Sequence, residues 1–129
     1  MELTQRIREL TALPGVSGQE DAVREYLLQA LQGREDCDCR VDALGNLIVK
    51  KTGRQTPAKS FLITAHMDEV GFLVTHIEED GFLRVNQVGG VDRKLYASSC
   101  VTVHTASGPL SGVISSVPPH LRKEEKELP

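Results

Sequence analysis

At 129 residues the chain has room for one ordinary domain or parts of two, and its 40% hydrophobic and 26% charged content is that of a globular protein in water. No apolar run is long enough to cross a bilayer, no charged-then-apolar start marks a signal peptide, and a formal charge of −3 without a basic patch argues against nucleic acid and membrane as partners. Three cysteines, an odd number, fit a reducing compartment better than a disulfide framework, so the expected setting is cytoplasmic.

Two helices are expected first. Leu3 to Ala12 places Leu3, Ile7 and Leu10 on one stripe, and Pro14 and Gly15 close it. The second is expected to begin at Ser17, whose spacing to Glu20 has the form of a capping box. Val23, Tyr26, Leu27, Ala30 and Leu31 then fall at helical spacing, and Gly33 suits a C-terminal cap.

From Cys37 the period changes to two. Cys37, Cys39 and Val41 alternate with polar residues, a turn falls at Gly45-Asn46, and Leu47 to Lys50 forms the returning strand. Thr52 to Ala58 reads as a loop. Phe61 to Ala65 is a short continuous apolar run, the pattern of a strand covered on both faces, and it leads straight into His66. Beyond Glu69 the pattern is wholly β: Val70 to Glu78, a turn at Asp80-Gly81, Phe82 to Gln87, a glycine pair at Gly89-Gly90, then Val101 to Thr105 and Leu110 to Ser115 around a turn at Ser107-Gly108. The tail from Leu121 to Pro129 is almost all charge, with too few apolar residues to dock, and is expected to be flexible.

The residues with the most chemistry lie at Ala65-His66-Met67-Asp68-Glu69-Val70-Gly71-Phe72. The end of a buried strand is where open α/β sheets place ligands. On extended backbone His66 and Asp68 share a face. That spacing suits a metal-bound imidazole whose other nitrogen is held by a carboxylate, and neutral imidazole suits zinc or cobalt. His-X-Asp also arises by chance as a surface pair or a simple hydrogen-bonded pair, and the triplet alone leaves that alternative open. Cys37 and Cys39 lack Cys-X-X-Cys geometry and read as buried or half-buried thiols; His76 and His104 read as ordinary sheet residues. Glu78, Glu79 and Asp80 read as a solvated hairpin tip. His120, after Pro118-Pro119, has no assigned role.

Six blocks carry a resemblance. They are Pro14-Gly15-Val16-Ser17-Gly18-Gln19-Glu20, Asp42-Ala43-Leu44-Gly45-Asn46-Leu47, the His66 block, Asp80-Gly81-Phe82-Leu83, Gly89-Gly90-Val91-Asp92, and Gly112-Val113-Ile114 with Pro118-Pro119-His120. In this order, and reaching to about His120, the chain resembles the tetrahedral-aminopeptidase family, which includes glutamyl and deblocking aminopeptidases and proteins once labelled endoglucanases.

The resemblance implies an α/β fold: the N-terminal part of a zinc-exopeptidase-like αβα catalytic domain over residues 1–69, followed by the start of an inserted β-rich, barrel-like dimerisation domain over 70–120, with 121–129 as the tail. It implies a metallo-aminopeptidase acting on peptide substrates, with two divalent metals per active site, zinc or cobalt, and self-association into dimers and dodecamers. His66 matches a metal ligand of the family and Asp68 the catalytic-site carboxylate that orients it; Glu69 receives no catalytic role. The family's further metal ligands, bridging aspartate and catalytic glutamate follow the inserted domain and have no counterpart here. The site is therefore expected to be incomplete and the 129-residue chain inactive alone, as an N-terminal portion would be. The competing reading is a non-catalytic β-rich assembly or binding module over residues 70–120, in which His66 is incidental.

Overall fold

The computed structural model describes residues 2–54 and 59–115. The charged tail, Pro118-Pro119 and His120 lie outside the described residues. Two helices, α1 (Leu3–Thr11) and α2 (Asp21–Leu31), precede six strands and a short 3-10 turn (Arg93–Leu95). The strands form three antiparallel hairpins: β1 (Cys37–Val41) with β2 (Leu47–Lys51), β3 (Gly71–Ile77) with β4 (Leu83–Val88), and β5 (Cys100–Thr105) with β6 (Gly108–Val113). Each sheet has two strands, and among the described residues none closes into a barrel. The chain divides into two compact units, Met1–Gly90 and Val91–Pro129, the second built around the β5–β6 hairpin. Among the described residues no helix is long and apolar enough to cross a membrane.

Helix α1 ends where the sequence places its stop. Pro14 disfavours helical geometry at Leu13, and the last turn closes with Ala12 and Leu13 donating to the carbonyls of Glu9 and Leu10. The apolar stripe is only partly covered, with Leu3 72% and Ile7 52% exposed. What ties α1 to α2 is polar: the Tyr26 hydroxyl donates to Glu9 Oε2 at 2.5 Å, while Gln5 Nε2 donates to Oε1 at 2.7 Å. These bonds, Tyr26 first and Gln5 second, hold the Glu9 carboxyl below its ordinary value.

Helix α2 starts later than the capping pattern implies. Its first residue is Asp21, and Glu20 occupies the N-cap without a side-chain cap bond. The Glu20 carboxylate instead accepts from the Gly18 backbone N–H at 2.7 Å, and the Ser17 hydroxyl is committed to Asp68. A tertiary partner has displaced the local cap. Val23 of this helix, 8% exposed, is the one buried apolar side chain among the described residues, with Tyr26, Leu27 and Leu31 half-buried and Ala30 exposed beside it.

The β1–β2 hairpin turns on Asp42, whose Oδ1 accepts from the N–H groups of Leu44 and Asn46 and whose Oδ2 accepts from the Asn46 side chain, all at 2.9 Å. Arg24 of α2 donates to the Gly45 carbonyl at 3.3 Å, which seats the turn against the helix. At the open end Asp36 contacts Lys51 and Arg34, and Lys51 first, then Arg34, holds its carboxyl well below the usual range. The β3–β4 hairpin carries a bulge at Thr75, between the Val74↔Val85 and His76↔Arg84 pairs. Its tip is solvated as expected, with Glu78 paired to Arg84. Strand β6 begins at Gly108, two residues before the alternating pattern implied, because Gly108 at φ 118° already pairs with Thr105.

The largest departure is at Phe61–Ala65. The apolar run predicts a buried strand, yet no strand forms there, and Phe61, Leu62 and Ile63 are 87%, 90% and 91% exposed. A strand exists only through its ladder partners, and among the described residues none pairs with this segment. The pattern of a doubly covered strand is present without its cover. His66 accordingly does not stand at a strand end.

A different contact fixes the residues that follow. Val16 makes an isolated parallel bridge with Glu69, in which the Glu69 N–H donates to the Gly15 carbonyl at 2.7 Å and the Gly15 N–H donates to Glu69 Oε1 at 3.3 Å. The approach is close enough to require glycine on both sides. A Cβ at Gly15 would lie 3.1 Å from Val23 Cγ2 and 3.3 Å from the Met67 carbonyl; one at Gly71 would lie 2.4 Å from Val16 Cγ2.

Two outcomes are expected. Gly71→Ala destabilises the first unit by about 1–3 kcal/mol, the usual cost of forcing an extra methyl into a filled space, and Val16→Ala in the same chain recovers much of the loss; additive losses in urea titration would contradict the contact. In a carboxyl NMR titration, Tyr26→Phe raises the Glu9 midpoint toward the ordinary value. Because the folded value is depressed, the Glu9–Tyr26 tie is complete above the ordinary glutamate range and is lost as pH falls through the lower folded midpoint.

Candidate metal centre

The His66 ring is held from one side. Nδ1 lies 2.9 Å from the backbone carbonyl oxygen of Asp68 and 3.0 Å from its Oδ1. Both partners only accept, so Nδ1 carries the proton and donates. In the neutral ring this leaves Nε2 with its lone pair, on a side chain that is 85% exposed. This is the tautomer in which an imidazole binds a metal, with the second nitrogen fixed by a carboxylate or carbonyl.

Asp68 is satisfied on both oxygens. Oδ1 accepts from His66 and Oδ2 accepts from the Ser17 hydroxyl at 2.6 Å. The Ser17 bond first, and the His66 bond after it, hold the Asp68 carboxyl below its ordinary range. The depressed value keeps it ionised at neutral pH, and the arrangement is lost only as pH falls through that lower value. A carboxylate occupied in this way orients the ring and does not need to ligate.

Three elements therefore meet here: the Pro14–Gly18 loop, the Ala65–Glu69 segment and, across a groove of about 490 Å³, the face of α2 with the β1–β2 turn. Leu27 and Leu31 of the helix and Leu44, Leu47 and Val49 of the hairpin line the groove, which His66 and Asp68 border. The pairing of His66 with Asp68 was legible in the spacing. The part played by Ser17 was not, because a capping box accounts for the same residue locally. The one available signal was that the block containing Ser17 and the block containing His66 belong to the same ordered set.

Among the described residues no three His, Cys, Asp or Glu side chains come together in a way that could hold a metal ion. The donor set fits one share of a divalent site, a single imidazole nitrogen with its orienting carboxylate, where zinc ordinarily takes three or four protein ligands. Two other histidines are described, each in its own hairpin. His76 Nε2 is 3.7 Å from Glu78 Oε2 on β3, and His104 on β5 lies opposite Pro109. All three cysteines are free thiols; Cys37 and Cys39 are half-buried on β1 and Cys100 is exposed. Burial, followed by the Asp36 carboxylate beside it, pushes the Cys37 thiol up, away from the thiolate a metal would need.

With this geometry, the comparison with known proteins is specific. The sequence model for M42 glutamyl aminopeptidases matches residues 45–129. The chain belongs to this family. It is 35% identical to the lysyl aminopeptidase of Pyrococcus furiosus, over 94% of this chain and 34% of that protein. Identity to the glutamyl aminopeptidase of Lactococcus lactis is also 35%, again over 94% of this chain and 34% of that protein. Among solved structures, the TET1 peptidase of Pyrococcus horikoshii, described as assembling into a tetrahedron or a large octahedral shell, superposes with a TM-score of 0.79 at 37% identity, over 99% of this chain and 38% of that one. A Thermotoga maritima protein described as an endoglucanase superposes with a TM-score of 0.74 at 44% identity, over 86% of this chain and 34% of that one. The chain thus spans about a third of the length of the family members it matches.

The tautomer is directly measurable. Long-range proton–nitrogen NMR of the neutral His66 ring is expected to show Nδ1 as the protonated nitrogen and Nε2 bare. An Nε2-protonated ring would contradict the arrangement.

Proposed function

We propose that this chain contributes the first metal ligand and its orienting carboxylate to a metallo-aminopeptidase that removes N-terminal residues from peptides. The observation that carries this reading is the His66 ring, whose Nδ1–H is bound twice by Asp68 while Nε2 stays open to solvent. Membership of the M42 family gives that open nitrogen its context.

In this reading His66 ligates through Nε2 and Asp68 fixes the plane and tautomer of the ring, raising its basicity as a ligand. Two divalent metals, zinc or cobalt by the preference of imidazole, would supply carbonyl polarisation and an acidified water when bound. The remaining ligands and the general base come from the part of the family fold that this chain does not span. Residues 1–69 belong to the αβα catalytic domain, and 70–120 begin the inserted, barrel-like domain through which family members associate. The hairpins from Gly71 to Val113, each unpaired on both edges among the described residues, support an assembly role for that region. Dimers and larger assemblies follow in this reading, and the horikoshii peptidase is described as assembling into a tetrahedron or a large octahedral shell. Three free thiols support a cytoplasmic setting.

The test is hydrolysis of amino-acid p-nitroanilides with zinc or cobalt present. The 129-residue chain alone is expected to stay at the uncatalysed rate. Joined to the C-terminal two-thirds of a family member it is expected to turn over. In that hybrid His66→Ala abolishes turnover, and Asp68→Asn lowers metal affinity about 10–100-fold, the range typical for partners that orient a ligand. Full activity in the His66→Ala hybrid would remove His66 from the metal set.

A further inference from the structure

Asp68 is itself held, and the group that holds it comes from a distant part of the chain. Ser17 Oγ donates to Asp68 Oδ2 at 2.6 Å across 51 residues of sequence. The opposite oxygen, Oδ1, is the one that faces His66 Nδ1. The terminal torsion of an aspartate is broad and roughly two-fold, so a carboxylate with one free oxygen turns easily. With both oxygens engaged, its plane is set, and so is the plane of the ring it holds.

Ser17 is in turn anchored independently of its own side chain. The backbone of its loop is pinned by the Glu69 N–H on the Gly15 carbonyl, by the Gly15 N–H on Glu69 Oε1 and by the Val16↔Glu69 bridge. Its hydroxyl serves no helix cap, since α2 begins four residues later with no side-chain cap bond. The order Ser17, Asp68, His66 is therefore a relay of two hydrogen bonds that runs from a fixed loop to the open Nε2.

We propose that Ser17 is a positioning residue for the metal ligand: its hydroxyl fixes the Asp68 carboxylate in the plane that presents His66 Nε2 to a divalent cation. The proposal rests on the reading of His66 as a ligand, and its test separates the two. Co²⁺, which is paramagnetic and suits imidazole, is titrated into the 129-residue chain while the His66 ring resonances and the Met67 and Asp68 amides are followed by NMR.

In the wild type the broadening centres on the His66 ring, and His66→Ala removes it from the neighbouring amides. Ser17→Ala weakens Co²⁺ binding about threefold to tenfold, below the ~10–100-fold of groups that touch the ligand directly. Ser17→Thr, which keeps the hydroxyl, returns to within about twofold of wild type, an effect well under 1 kcal/mol. Amide exchange at Glu69 stays unchanged in both variants, since the backbone bridge does not use the hydroxyl.

Undiminished Co²⁺ broadening in His66→Ala would overturn the ligand reading and the proposal with it. Binding that depends on His66 and is untouched by Ser17→Ala would overturn the proposal alone. So would a loss in Ser17→Ala that Ser17→Thr does not restore and that comes with fast exchange at Glu69, because Ser17 would then act only through the loop.

Discussion

The first unit is organised by a contact between two backbones, the bridge that joins Gly15–Val16 to Glu69. Little else in that unit is enclosed, since Val23 is the one buried apolar side chain among the described residues. The bridge fixes the start of β3, the end of the His66 segment and the entry to α2 at one point. It exists only because Gly15 and Gly71 leave room for it, one beside Val23 and the Met67 carbonyl, the other beside Val16. A hydrogen bond of 2.7 Å between neutral groups is a modest stabiliser in itself. Its importance is geometric: it sets the distance across which the Ser17 hydroxyl reaches Asp68.

From that point the site follows by chemistry. A carboxylate engaged on both oxygens has little reason to ligate and every reason to orient, and an imidazole that donates through Nδ1 has its other nitrogen free. In the proposed reading one oriented imidazole is a component of a metal centre and falls short of a whole one, and the chain spans about a third of the length of its aminopeptidase relatives. The groove beside it is mixed, lined by leucines of α2 and the first hairpin together with Arg6, Glu20, Arg34 and Asn46.

What could be read in the sequence was whatever depends on near neighbours. The three hairpins are set by alternation and by turn glycines, and the expected strands match to within a residue or two because each strand's partner lies immediately beyond its turn. His66 and Asp68 are two residues apart, so their pairing was legible as well. The Thr75 bulge has no simple signature, since an extra residue in an alternating strand looks like alternation with one fault. Ser17 was misread for a more instructive reason. Ser-X-X-Glu satisfies a local rule, and only a partner 51 residues away withdraws it. Phe61–Ala65 failed in the opposite direction: composition specifies an environment, and composition cannot show whether that environment is supplied.

That last segment bears on what stability means for this chain. Three consecutive large apolar side chains, each almost wholly in contact with water, give any covering surface a favourable free energy that scales with the area removed from solvent. A species that binds the folded form and spares the unfolded one raises the apparent stability by mass action. With such a species bound, the melting temperature is a joint property of the polypeptide and of what covers it. Were a second copy of the chain to supply that cover, two laboratories working at different dilutions would obtain different values from the same molecule.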